Sequence, residues 1–310
     1  MRLLILGGTV FLGRHVVDAA LARGHEVTIF TRGRHGTGPE GVEHVSGDRA
    51  DVAPLRGRAW DAAIDTSGYD PAHVRASAAL DVGHYVFVSS CNAYPDWPGK
   101  PVDEDSPTWQ DGAGYGPDKA AAERAVLPGG AVVRAGMIVG PHDNVFRLPW
   151  WVRRIREGGV VPAPGRPDRR LQVIDARDLA AFLLHLAQER IAGAFNGTAP
   201  IGQTTMEELL RAAGDADLRW IPDDKLEAAG VEPWMELPLW LPERFAGTWN
   251  VGTAKDQAAG LRTRPVRETV DDIARWLENG GEGELDEWRS EHRPAQMTAE
   301  REAALTRLLC

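Results

Sequence analysis

Through the first half of the chain, short apolar runs alternate with stretches of helical spacing. Strands are predicted at Leu3 to Leu6, Val27 to Phe30, Val42 to Val45, Ala62 to Asp65, Tyr85 to Ser89 and Val132 to Arg134, each rich in β-branched or aliphatic residues. Between the first two, Val16, Val17, Ala20 and Leu21 recur on one helical face, and Gly24 supplies a stop. A second helix is predicted from Asp70-Pro71, a capping residue followed by proline in the first turn. Apolar strands joined by amphipathic helices predict an α/β fold, a doubly wound parallel sheet with helices on both faces.

After Gly140-Pro141 the pattern loosens into "DNVFRLPWWVRRI", a proline-rich "VVPAPGRPDRR", and a stretch from Leu218 to Trp249 carrying Trp220, Trp234, Trp240 and Trp249. Helical periodicity returns at Asp175 to Glu189 and at "TTMEELLRAAG", where Thr205 and Glu208 predict a capping box. It returns again at "PVRETVDDIARWL", with Val266, Val270, Ile273 and Leu277 on one face, after which "ENGGEGE" reads as a linker to a charged helical tail. The expected organisation is a sheet domain at 1–141, rejoined by 173–200 and about 248–253. A smaller interleaved part would comprise 142–172 and 201–310, ending in the helical tail.

Composition narrows the classes. The 310 residues are 43% hydrophobic, enough for a sizeable core. With 35 basic against 45 acidic residues the net charge is -10, which disfavours nucleic acid as a partner. The apolar start is too short for a signal-peptide core, and no apolar run approaches the roughly 18 residues that span a bilayer. A cytoplasmic protein with no membrane partner is expected. Cys91 and Cys310 offer neither metal-ligand spacing nor a disulfide framework, so no metal site is expected.

The candidate chemistry begins at "MRLLILGGTVFLG". Gly7 and Gly13 stand as first and third glycines of a dinucleotide-binding turn, but Val10 occupies the second position. The turn directly follows the first strand, where a helix N-terminus offers free N–H groups to phosphate. A second signal lies in "SSCNAY", Ser89 to Tyr94, and "YGPDK", Tyr115 to Lys119. Tyrosine and lysine four apart at a helix start share a face, so the ammonium is expected to lower the phenol's pKa, and a hydroxyl at the end of strand five can steady the same substrate oxygen.

Together these residues resemble the extended and atypical short-chain dehydrogenase/reductases, relatives of the NAD-dependent epimerases and dehydratases. The resemblance implies a Rossmann domain and a catalytic Ser90, Tyr115 and Lys119, since Ser90 precedes Tyr94 by four and Tyr115 by 25. It places Gly7, Gly8, Thr9, Val10, Phe11, Leu12 and Gly13 at the phosphate turn, where some atypical members read "GGT", a bulky residue, then "F", an aliphatic and "G". "SGDRAD" resembles the Gly-Asp element after strand three, with Asp48 at the adenine and Arg49 beside it. Thr66, Ser67 and Gly68 follow strand four where the family's backbone lines the cofactor; Ser89, Tyr115 and Lys119 complete the cofactor set, although local packing or hydrogen bonding is the plainer role for Ser89. "VVRAGMIVGP" resembles the sixth strand, and "QVIDARDLA" the entry to a late helix with Asp178 as cap.

NAD-selective members end strand two with an acid; this chain offers Thr31, Arg32 and Arg34, and a guanidinium there suits a 2′-phosphate. NADP is therefore the expected cofactor, with NAD as the alternative, and Arg32 facing only solvent as the bland reading. The expected activity is hydride transfer to or from a hydroxyl- or carbonyl-bearing carbon of a small-molecule substrate. The alternatives are a sugar-nucleotide epimerase that retains NAD, or a non-catalytic dinucleotide-binding sensor or RNA-associated protein. A homodimer is left open.

Dehydrating members carry an acid and a base directly after the catalytic hydroxyl residue, where this chain has Cys91 and Asn92. The arginine that clamps a nucleotide diphosphate falls at Leu171, with Arg170 one place away and Asp175 where histidine is common. Trp150 and Trp151 are candidates to line a substrate pocket, and Arg153, Arg154 and Arg156 to face an anion, a solvated helix face being the commoner role of such a cluster. Cys91 reads as packing, and His142 and Asp143 as either substrate contacts or turn formers.

Overall fold

The computed structural model describes residues 1–284 and 297–307. Cys310, and the part of the charged tail at 285–296, lie outside the described residues. The chain divides into two compact units: Met1–Ile138 with Val173–Pro200 and Val251–Thr263, and Val139–Gln172 with Ile201–Asn250 and Arg264–Cys310. No helix among the described residues is long and apolar enough to cross a membrane.

The first unit is built on β1 (Arg2–Leu6), β2 (Glu26–Thr31), β3 (Val42–Ser46), β4 (Ala62–Asp65), β5 (Tyr85–Ser90), β6 (Ala131–Ala135) and β7 (Gly193–Phe195). They form one sheet in the order 3-2-1-4-5-6-7, every pairing parallel. Its helices are α1 (Phe11–Ala22), α2 (Pro71–Ala78), α3 (Tyr115–Val126) and α4 (Ala176–Glu189). Leu3 and Ile5 face a core shared with Val16, Val17 and Leu183 of α1 and α4, while Leu4 and Leu6 face Val74 and Ala122 of α2 and α3. Alternate residues of β1 thus enter opposite cores, which is why the strand shows no polar face. The strand order reverses between β1 and β4, and the crevice beyond their carboxyl ends is where such sheets bind ligands.

Several expectations are corrected by local hydrogen bonding. The cap of α4 is Asp175, whose carboxylate accepts from Arg177 N at 2.8 Å; Asp178 sits inside the first turn. The stretch resembling a single sixth strand is two strands, Ala131–Ala135 and Met137–Val139, parted at Gly136, whose N–H donates to Gly197 O at 3.1 Å. The "linker" after Leu277 contains a helical turn at Gly281–Glu284, where Gly281 packs under Trp276 and leaves no room for a Cβ.

In the second unit, helices Arg147–Arg156, Met206–Ala213 and Val266–Glu278 pack together, and the Thr205–Glu208 capping box forms. Trp150 and Trp151 are core residues, not pocket walls: both are buried, their rings lie edge to face at 4.7 Å, and Trp151 Nε1 donates to Pro238 O at 2.5 Å. The arginines beside them are also engaged: Arg154 pairs with Glu302 at 2.7 Å, Arg156 with Glu278, and Arg153 lies over the Phe146 ring. Buried Asp143 accepts Val145 N at 2.9 Å and Arg147 N at 3.3 Å, while His142 has a left-handed φ of 64° and packs edge to face on Trp276. Both are turn formers.

Within the first unit, a polar chain runs behind β5 and β6. Ser89 Oγ donates to Glu123, Glu123 pairs with Arg134, Arg134 donates to Tyr94 Oη, Tyr94 donates to Asn196, and Asn196 N donates to Asp256 at 2.7 Å. Asp256 Oδ2 and Glu104 Oε1 are buried acceptors without a donor in the protein, and a proton held between these two carboxyls satisfies both. Burial pushes the Asp256 carboxyl up to about 8, with Glu104 adding to the rise.

An unfolded aspartate titrates near 4, so between about pH 4 and 8 the folded chain holds a proton that the unfolded chain does not. The stability from this proton is complete below about pH 4 and is lost as pH rises through about 8. In Asp256→Asn the amide donates to Glu104 at every pH. Urea unfolding at pH 5 and pH 8 should therefore show the variant gaining on wild type by at least about 1 kcal/mol at the higher pH; a difference independent of pH would contradict the shared proton.

Candidate functional site

The glycine turn rises from β1 into α1. Gly7 and Gly8 adopt φ of 105° and 110°, which side chains resist, and a Cβ on Gly7 would lie 2.5 Å from Thr66 Oγ1. On Gly13 it would lie 2.6 Å from Gly8 N, so this glycine lets α1 close on the strand. Val10, at the helix N-cap, has an ordinary extended backbone and needs no glycine. No side chain caps α1, leaving its first N–H groups open, and Thr9, Val10 and Phe11 are half-buried around them. Phe11 has a left-handed φ of 33°, a conformation that costs a non-glycine residue about 1 kcal/mol or more. Leu12 belongs to the hydrophobic core, so its side chain is not at the site.

Beside this turn lies a cavity of about 360 Å³. Gly7 and Ser67 line one part, Arg32 and Arg34 from the end of β2 another, and Asp48 and Arg49 a third. Arg32, Arg34 and Asp48 are exposed. The Asp48 carboxylate is held below its usual range by the Ala50 N–H, with Arg32, His73 and Arg34 adding to the effect. Thr66 Oγ1 donates to Leu6 O at 3.2 Å, fixing the β4 loop to β1.

Arg49 has a different role from the one expected. Its guanidinium grips the fully buried Asp65 through two bonds of 2.8 Å and donates to Ser77 Oγ at 2.9 Å. Asp65 also accepts from Tyr85 Oη at 2.7 Å and Ser67 N at 3.0 Å. Arg49 forms the wall of the cavity, and its charge is committed to the protein.

The three triad residues converge. Ser90, at the end of β5, accepts from Asn92 N at 3.2 Å and Asn92 Nδ2 at 3.0 Å and is hydrogen-bonded to the Tyr115 phenol. Tyr115, half exposed, opens α3, and Lys119 one turn later is 3% exposed. The Lys119 ammonium donates to Gly68 O at 2.7 Å and Val88 O at 3.0 Å, and lies 5.8 Å from the Tyr115 ring centroid. Burial pushes Lys119 down to about 8. The expected lowering of the phenol is corrected: burial pushes Tyr115 up, and the bond to Ser90 offsets this only in part. Ser89 does not face this site, since its hydroxyl is bound to Glu123 at 2.6 Å. Cys91, buried with its thiol against Arg134 O and pushed up to about 12, is inert.

Residues 72–202 match the model of the NAD-dependent epimerase/dehydratase family. Over 247 residues the chain is 30% identical to the Bos taurus epimerase family protein SDR39U1, an alignment covering 70% of this chain and 80% of that protein. The chain belongs to the NAD-dependent epimerase/dehydratase family.

Solved structures show the family fold. Human epimerase family protein SDR39U1 (isoform 2), crystallised with NADPH, superposes with a TM-score of 0.61 at 23% identity, over 89% of this chain and 99% of that one. The Bordetella bronchiseptica enzyme WbmH, in complex with NAD+, gives 0.64 at 19% identity, over 90% and 99%.

Within this epimerase/dehydratase fold, sequence reasoning missed three groups. Asp65 was read only as the end of a strand, although an acid closing an apolar run is itself a signal that a buried partner exists. His73 and Tyr69 line the cavity from α2 and the loop before it, and Tyr69 lies over Lys119. The stretch "TSGYD" places that aromatic directly after the strand-four glycine, which could have drawn notice. Arg49→Met should leave the Asp65 carboxylate buried without its cation and cost about 3 kcal/mol. Urea unfolding checks this, and a loss under about 1 kcal/mol would mean that the pair is not structural.

Proposed function

We propose that this family member is an NADP-dependent oxidoreductase acting on a small-molecule carbonyl or alcohol through Ser90, Tyr115 and Lys119. The observation that carries the reading is the convergence of Ser90 and a half-exposed Tyr115 phenol above a buried Lys119. The residues fit a dinucleotide: Gly7 and Gly8 leave the turn free of side chains, the α1 N-terminus is uncapped, and Arg32 and Arg34 supply cations at the end of β2. When bound, the nicotinamide supplies or accepts hydride at the substrate carbon.

Ser90 Oγ holds the substrate oxygen beside the phenol. Because burial raises Tyr115, the phenol of the ligand-free protein keeps its proton at neutral pH and is set to donate it to a carbonyl oxygen. Lys119, charged below about pH 8, is anchored by two backbone carbonyls and presents its ammonium to the cofactor ribose. Elimination of water lacks its catalysts: Asn92 does not titrate and its amide is bound to Ser90, and the Cys91 thiol is buried and protonated. No conversion of a dTDP- or GDP-hexose to a 4-keto-6-deoxy sugar is expected. The second reading, an epimerase that keeps its NAD, draws on the names of the relatives and uses the same triad. Native mass spectrometry separates the two: retained NAD favours the epimerase, exchangeable NADP the reductase.

NADPH should bind at least about tenfold tighter than NADH, equivalent to about 1.4 kcal/mol, and the paired substitution Arg32→Ala with Arg34→Ala should erase most of this preference. Fluorescence titration measures both, and equal affinities in the wild type would refute the NADP assignment. Tyr115→Phe should abolish turnover with cofactor affinity nearly unchanged; wild-type turnover in that variant would remove Tyr115 from the chemistry.

A further inference from the structure

Lys119 is held in surroundings that its two carbonyl bonds do not fully describe. Its ammonium lies 4.9 Å from the Tyr69 ring centroid, 4.9 Å from that of Phe87 and 5.8 Å from that of Tyr115. Phe87 is fully buried within the sheet. Tyr69 is the opposite case: a large aromatic, 63% exposed, in the loop between β4 and α2, its ring 6.3 Å from that of Tyr115 and itself a wall of the cofactor cavity. An exposed tyrosine gains little from burial, yet this one covers an ammonium that is 3% exposed.

We propose that Tyr69 is a positioning residue, whose ring closes an aromatic cage around the Lys119 ammonium and keeps it charged and aimed at the cofactor. A cation over a ring face is attracted by the ring quadrupole, and the attraction is larger where water is excluded. The two carbonyl bonds, to Gly68 O and Val88 O, use two of the three ammonium N–H groups. Phe87 lies on the sheet side, while Tyr69 and Tyr115 lie at the exposed side, where a ligand would arrive.

The charge on Lys119 is contested by its neighbours. Burial opposes it, as does the guanidinium of Arg49 from the β3–β4 segment; Asp65 at the end of β4 and Glu123 on α3 support it, and the Tyr69 and Tyr115 phenols are neutral, both pushed above their usual range. With the balance near pH 8, the attraction of the Tyr69 ring, 4.9 Å away, adds to the charged form of the lysine. This role rests on the proposed cofactor-facing lysine, but the cage itself is measurable without cofactor.

The chain has four lysines, Lys100, Lys119, Lys225 and Lys255, so labelling lysine Cε with carbon-13 gives a simple NMR titration in which Lys119→Met identifies the buried signal. In the ligand-free protein that signal should titrate near pH 8 and should be unchanged in Tyr69→Phe. Tyr69→Leu keeps an apolar cover without the quadrupole, so its midpoint should fall by about half a pH unit. NADPH affinity of Tyr69→Leu should then be about twofold weaker than wild type at pH 8 and equal to it at pH 6.5. A Tyr69→Leu midpoint equal to wild type would overturn the cage. An affinity loss of the same size at both pH values, with the midpoint unmoved, would make Tyr69 a direct cofactor contact and also overturn the positioning role. If Lys119→Met bound NADPH as tightly as wild type, the proposed cofactor role of the lysine would fail, while the ligand-free titration would still decide the cage.

Discussion

The buried carboxylate of Asp65 is the constraint around which the end of the sheet that carries the candidate site is arranged. A charge with no exposed surface must be compensated by groups brought from elsewhere, and here they come from three places: Arg49 after β3, Ser67 in the β4 loop and Tyr85 at the start of β5. Arg49 bonds both Asp65 and Ser77, so the ion pair ties the loop after β3 to the helix that follows β4. The loop carrying Thr66, Ser67, Gly68 and Tyr69 is thereby fixed between β1 and Lys119.

The fold was legible where burial leaves a continuous imprint. Strands such as Leu3 to Leu6 are apolar on both faces because two cores receive them, and helices such as the one opened by Asp70-Pro71 announce themselves by their caps. The closeness of Tyr115 and Lys119 was legible for a different reason: they are one helical turn apart, so their spacing survives in sequence as it does in space. Long-range polar partnership left no such trace. Nothing local to Arg49 distinguishes a guanidinium that reaches a cofactor from one that reaches Asp65, 16 residues on. The cap at Asp175 and the packing of Trp150 and Trp151 failed on the same ground, because several neighbouring residues were chemically suited and only three-dimensional context selects among them.

The site also shows two uses of a buried polar group. In the chain from Ser89 to Asp256 every donor is aimed at an acceptor of the protein, and the network fixes α3 and the Tyr94 segment against the sheet. Ser90, the next residue along, turns its hydroxyl toward Tyr115 and accepts from Asn92. The alternation of side chains along a strand therefore separates two roles within one dipeptide: Ser89 joins the interior network, and Ser90 faces the candidate site.

Asp256 belongs to the last of the three segments that make up the first unit, and its carboxylate receives the N–H of Asn196. During synthesis the sheet strands from β1 to β7 emerge long before it. A partner that is still inside the ribosome leaves the polar chain behind β5 and β6 open at one end, so the nascent first unit can collapse but cannot complete its interior until residue 256 has emerged. By then most of the second unit's chain has been made as well. Interleaving thus makes the two units mature together, late in translation, where a chain of two consecutive domains would finish them in turn.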